Sequence, residues 1–169
     1  MRPTHCKDDA GRAILFLDFS RIPTDGSYDR HSMSRAFWYY MHAVLEDEDV
    51  QKKGCVIIAH PRHAQRVQFD RKLGKLQISS LRGCIPVRAA AFHICHPPFF
   101  FEVLFSVMKV FLGERLRKRV KFHSGEDEGV LQKMEHKYGI TRDKLPIEMG
   151  GELKMDHMGW LEQRKKAGI

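Results

Sequence analysis

Four short apolar runs, separated by stretches with helical spacing, constrain this chain more than any other feature. Ala13–Phe19, Cys55–Ala59, Val87–Cys95 and Val120–His123 are bounded by turn and breaker residues, and each reads as a strand. Their residues are apolar on both faces, the pattern of strands covered from both sides in a parallel sheet. Between the first two runs, Met33, Phe37, Met41, Val44 and Leu45 recur at helical spacing, giving a helix from about Ser32 to Glu48. Its acidic end, Glu46–Asp49, is unfavourable at a helix C-terminus and predicts fraying there. A second helix runs from about Ala64 to Leu81, with Val67, Leu73, Leu76 and Leu81 on one side. Ser124, with Asp127 as its capping partner, opens a helix holding Val130, Leu131, Met134 and Tyr138. The chain is therefore read as α/β, a mainly parallel, mixed sheet covered by helices. Residues 11–155 form the domain, 1–10 an N-terminal extension and 156–169 a helical tail.

At 169 residues the chain holds one domain with a sizeable core. Its formal net charge of +8 favours an anionic partner: phospholipid head groups, nucleic acid or an acidic protein. Cys6, Cys55, Cys84 and Cys95 sit at no paired spacing, and the N-terminus has no apolar core of a signal peptide. Both features read as a reduced, cytoplasmic chain. The longest apolar segment, Pro97–Leu112, is too short to cross a bilayer.

Two constellations invite a chemical reading. Cys6-Lys-Asp-Asp-Ala-Gly-Arg12 has the Cys-x5-Arg spacing of a phosphatase loop. That loop must lead into a helix whose amide N–H groups hold the phosphate, whereas this one leads into a strand and carries Asp8 and Asp9. His93, Cys95 and His96, with His60, His63 and His123, raise a metal site. Zinc-type spacing is absent, so His93 and Cys95 read as core and His96 as a loop residue. No Gly-x-Ser-x-Gly elbow or Gly-rich phosphate loop occurs. The expectation is no catalysis, no metal and no cofactor.

The segment Pro97-Pro-Phe-Phe-Phe-Glu-Val-Leu-Phe-Ser-Val-Met-Lys-Val-Phe-Leu112 carries more information. Glu102, Ser106 and Lys109 make one narrow polar stripe, and everything else is apolar. A buried helix has this pattern, and so does a lid with one face on a ligand and the other able to enter a membrane. Arg115, Arg117, Lys118, Arg119 and Lys121 follow directly, as they do in peripheral membrane binders. A nucleic-acid binder needs basic residues interleaved with exposed aromatics, and here the aromatics gather in the apolar helix instead.

Pro86-Val-Arg-Ala-Ala-Ala-Phe-His-Ile-Cys-His-Pro-Pro98, Phe105-Ser-Val-Met-Lys-Val-Phe-Leu112 and Arg119-Val-Lys-Phe-His123 together resemble the CRAL-TRIO lipid-binding domain. Gly11–Leu17 is similar to its opening strand and Leu145-Pro-Ile-Glu-Met-Gly-Gly151 to its closing signature. The likeness is greatest to the tocopherol- and retinaldehyde-carrier branch. The resemblance implies a sheet flooring an apolar pocket under a gate helix, here Phe99–Leu112. The lining expected is Leu17, Ile58, Phe92, Phe100, Leu104, Phe105 and Met108. The ligand implied is an apolar lipid, whether a phospholipid or a tocopherol- or retinoid-like molecule. Arg88, Arg115 and Arg119 take the positions of phosphoinositide head-group contacts. The implied protein is a monomer held reversibly at an anionic membrane surface, a carrier or, alternatively, a non-transferring lipid sensor or membrane-targeting module. The sequence departs from the family pattern in several places, among them Ala64 and Arg66 near the positions of the small hydroxyl residues that contact choline lipids. Val87 stands where the inositol-lipid exchangers have an acidic residue, and Ala59-His60-Pro61-Arg62 replaces an Asp-x-x-Gly. The family's N-terminal helical lobe is not among these residues.

Overall fold

A computed structural model describes residues 1–110 and 112–169, with side chains other than those at 82, 83 and 102. The expected helix Phe99–Leu112 runs through position 111, and its polar stripe includes Glu102. Position 111 and the side chain of Glu102 lie outside the described set.

Among the described residues the strands form one sheet in the order β1 (Arg2–Lys7), β2 (Ala13–Leu17), β3 (Cys55–Ala59), β4 (Ala89–Cys95), β5 (Val120–His123). β1 is antiparallel to β2, and the other pairs are parallel. The sheet is thus mixed and mainly parallel, as the apolar runs imply. The four apolar runs are the four parallel strands. β1 was not anticipated: residues 2–7 are the edge strand of the sheet rather than an extension beside the domain. Its ladder is broken between Pro3 and Lys7, with His5 at φ +63°, and Thr4 bonds the carbonyl of Ile14 at 2.8 Å.

Strand order follows chain order, so connections of one hand lie on one face of the sheet. That face carries α1 (Arg30–Leu45), α2 (Glu48–Lys53), α3 (Arg71–Gly83) and α4 (Phe101–Met108). There Leu15, Cys55 and Ile57 pack on Phe37, Met41 and Val44 of α1 and Val50 of α2. Further along, Ala59 and Ile94 pack on Ile78 of α3 and Phe101 and Phe105 of α4. After α5 (Glu114–Arg117) and β5, the chain crosses to the opposite face. There α6 (Asp127–Tyr138) sets Val130, Leu131 and Met134 on Ile14, Phe16, Val56, Ile58 and Cys95. The last helix, α7 (His157–Lys166), lays Trp160 beside Tyr39 and Tyr40 and pairs Arg164 with Glu46.

Capping corrects three helix boundaries. Asp47 accepts from the amides of Asp49 and Val50, so the acidic run is the favourable start of α2 and not a frayed end of α1. Asp70 caps α3, and the residues before it form only a short 3-10 turn, Arg66–Gln68. α6 begins at Asp127 with Glu126 as its cap position, so Ser124 lies outside the helix.

Candidate functional site

Two adjoining cavities with shared walls lie between α1, α3 and α4 and the sheet. The inner one, about 90 Å³, is floored by Leu17, Ile57, Ala59, Phe92 and Ile94. Ile78 and Leu81 of α3 and Phe101, Phe105 and Met108 of α4 close it. The outer one, about 280 Å³, shares Leu17, Phe19, Phe37, Phe69 and Met108 and extends to Met33, Leu73 and Leu104.

The outer cavity has a polar end. Arg2 and Arg21 both donate to Glu148 Oε1, at 3.0 and 3.1 Å, and Arg21 also pairs with Asp18. Burial opposes ionisation of Glu148, but its backbone hydrogen bond and the two arginines hold its carboxyl below the ordinary range. Tyr40 Oη lies 3.0 Å from His157 Nε2. Burial raises the Tyr40 hydroxyl, and burial followed by Arg2 lowers His157, so both groups are neutral at pH 7. The arrangement suits an apolar body with one polar end.

The structure distributes the expected lining unevenly. Leu17, Phe92, Phe105 and Met108 wall the inner cavity, and Leu104 walls the outer one. Phe100 packs edge-on between Phe69 and Phe99, outside both walls. Ile58 is a correction. It faces α6 on the opposite side of the sheet, and Ile57 takes its place. Successive strand side chains alternate faces, and a strand buried on both sides gives no sign of which is which. Phe37, Phe69 and Ile78 were missed as lining, although helical spacing marked Phe37 as a core position.

The outer side of α4 and its flanks exposes apolar groups, with Phe99 92%, Val103 72% and Val110 76% accessible, beside exposed Ser106 and Lys109. Arg115 and Arg88 are exposed, and Arg119 is half-buried. Arg119 Nη1 donates to the carbonyl of Ala89 at 2.6 Å, which sets Arg88 and Arg119 together where β4 and β5 begin.

Elsewhere, Cys6 donates to the carbonyl of Thr4, and burial raises its thiol. Arg12 is held by Asp8, its Nε 2.6 Å from Oδ2. This is a hairpin corner and not a phosphate cradle. His93 and Cys95 are buried, as expected, but so is His96, at φ +53°. Among the described residues no group of three or more His, Cys, Asp or Glu is arranged to hold a metal ion. No described helix is long and apolar enough to cross a membrane.

A family model, the CRAL/TRIO domain, matches residues 3–151. Human clavesin-2 is 29% identical over 155 residues, covering 90% of this chain and 45% of that protein. Clavesin-1 of Xenopus laevis is 27% identical over 159 residues, with the same coverages. Mouse tyrosine-protein phosphatase non-receptor type 9 is 25% identical over 154 residues, 91% of this chain but 24% of that protein. The chain thus spans less than half the length of these relatives. The crystal structure of Sfh5 superposes with a TM-score of 0.52 at 11% identity, over 75% of this chain and 49% of that one, a likeness of fold.

Proposed function

Because the chain belongs to the CRAL/TRIO domain family, we propose that it binds one apolar lipid beneath α4 and carries it between membranes without catalysing a reaction. Membership implies a hydrophobic ligand; transfer, head-group recognition and a cytoplasmic, reversibly membrane-bound life are our reading. One observation carries it: α4 walls an apolar cavity with Phe105 and Met108 while its outer side exposes Val103. A helix with apolar groups on both sides is stable in water only while the inner side is covered. A bilayer that accepts Phe99, Val103 and Val110 therefore lowers the cost of swinging it outward. Ligand burial contributes about 25 cal/mol per Å² of apolar surface, so few polar contacts are needed to hold one. The polar end at Tyr40, His157 and Arg2 favours a lipid with a single compact polar group, as in a tocopherol- or retinoid-like molecule.

Mass spectrometry of lipid recovered with the purified protein identifies the ligand. Transfer of that lipid from donor to acceptor vesicles then separates a carrier from a sensor that binds without releasing. In the same assay, the double variant Arg115→Glu and Arg119→Glu should weaken binding to anionic vesicles by about 1 kcal/mol per arginine or more, most strongly at low salt. Unchanged binding would reduce the cluster to a solvated face.

A further inference from the structure

We propose that His60, His93, His96 and His123 form an acid-operated latch at the C-terminal end of the sheet, whose protonation frees the ends of β3–β5 from the start of α6. His60 directly follows β3, His96 directly follows β4, and His123 ends β5. All four are buried, at 3%, 1%, 8% and 1% exposure in the order named. His60 meets His96 edge-on with centroids 5.6 Å apart, and it stacks on Phe16. His93 Nδ1 lies 2.9 Å from His123 Nε2, so one nitrogen must accept. If both rings were protonated, two N–H groups would face each other. Tyr138 of α6 packs edge-on against both rings. His60 Nε2, His96 Nε2 and His123 Nδ1 are buried with no hydrogen-bond partner in the protein.

The charges facing this cluster do not accommodate protons. His60 faces Asp18, Arg62 and His63 as well as His96. His96 faces Arg62 and Asp127 of α6, with Nε2 3.5 Å from Asp127 Oδ1. His123 faces Lys133 and Lys137 of α6, and His93 faces Arg12 and Lys121. The carboxylates present, Asp18 and Asp127, are already engaged by Arg21 and Arg62. An added proton therefore meets more cations than free anions.

Burial, reinforced by these neighbours, lowers His60 and His123 to about 4 and His93 to about 3, and lowers His96 as well. An imidazole released to water titrates near 6.5, so the closed form is unaffected above that pH and loses ground as pH falls towards the folded values. At pH 5 each freed imidazole of the His60 kind favours the open form by about 30-fold. The latch shares its strands with the cavity floor: Ala59 precedes His60, and Phe92 and Ile94 flank His93. The inference does not need the lipid reading, because its test follows the backbone alone.

Amide hydrogen exchange of the whole chain at pH 7.4 and 5.0, corrected for intrinsic rates, tests it. Residues 57–64, 93–98 and 121–130 should open at least about 100-fold more readily at pH 5.0, while β1 and α7 change little. The double variant His60→Asn and His96→Asn, which keeps a polar group but cannot titrate, should lose at least ten-fold of that effect. An equal effect in the variant, an effect spread evenly over the chain, or none in the native protein overturns the latch. If the double variant does not fold, the native imidazole protons decide by magnetic resonance. The four buried rings should stay neutral at pH 6, and ordinary titration of these rings near 6.5 overturns the proposal.

Discussion

Replacing Gly151 with alanine should destabilise the fold by about 3 kcal/mol or more, the size of effect produced when a core contact has no room to relax. A Cβ there would stand 2.0 Å from the carbonyl oxygen of Leu145 and 2.5 Å from its carbon. Both are backbone atoms, so no flexible side chain can yield. The backbone is pinned as well. Leu153 N donates to that same oxygen at 2.9 Å, and Ile147 N donates to Leu153 O at 3.1 Å. Moving Leu145 disturbs a core residue that is fully buried against α6. It also disturbs Glu148, which ties the turn to Arg2 and Arg21. For a chain of this length the loss corresponds to a fall in Tm of roughly 6–12 °C. Gly129 is the control: it lies exposed on α6 with nothing within 4 Å of its Cβ position. Gly129→Ala should raise stability by up to about 1 kcal/mol. Thermal unfolding followed by circular dichroism reads both, and equal midpoints for the two variants would remove the steric explanation.

That turn also shows what the sequence makes legible. Leu145-Pro-Ile-Glu-Met-Gly-Gly151 reads as a tight turn from residue types alone, because proline and glycine act within a few residues of themselves. β2, β3 and β4 are legible for the same reason, since continuous apolar runs need no knowledge of partners, whereas β5, Val120-Lys-Phe-His123, is short and half polar. β1 was hidden because Arg2-Pro-Thr-His-Cys-Lys7 shows no apolar run, although Arg2, Pro3 and Thr4 are buried. Its place in the fold depends on Arg2 meeting Glu148, 146 residues away. The acidic segment at Glu46–Asp49 was misread because charge alone does not tell the end of one helix from the start of the next. Asp47 decides it through two amides that only the folded chain presents.

The candidate site divides along the same line. α4 announces itself by composition, and its Leu104, Phe105 and Met108 line the cavities. Ile57 and Ile58 could not be separated, because neighbouring residues in a doubly buried strand are equally apolar. The polar end of the outer cavity gathers Arg2, Tyr40, Gln77 and His157 from four distant segments. No local pattern joins them. In the sequence His60 is a possible metal partner and His96 reads as a loop residue. What makes them unusual is their shared burial at the ends of adjacent strands, which only the register of the sheet reveals.

Two neighbouring positions on α4 offer the sharpest test of how the helix divides its work. Leu104→Asp should abolish lipid transfer, while Val103→Asp should leave lipid binding nearly intact and weaken docking to vesicles. Leu104 is half-buried and walls the outer cavity, whereas Val103 next to it is 72% exposed. With the cavity empty, a carboxylate at 104 keeps its water and the protein folds. A lipid entering the cavity must strip that water, at a cost of about 3–4 kcal/mol or more for a charge left without a partner. At 1.4 kcal/mol per factor of ten, affinity falls by at least about 100-fold. At position 103 the carboxylate stays in water whether or not ligand is bound, so affinity for the lipid should change by no more than about two-fold. Docking pays instead, because a charge replaces an apolar group at the surface meant to enter the bilayer. Fluorescence titration with the lipid recovered from the protein, and vesicle co-sedimentation, measure the two effects separately. Full transfer by Leu104→Asp would place the ligand elsewhere and leave α4 as core. Equal loss of lipid affinity in both variants would mean that the helix does not have an inner and an outer side in the sense argued.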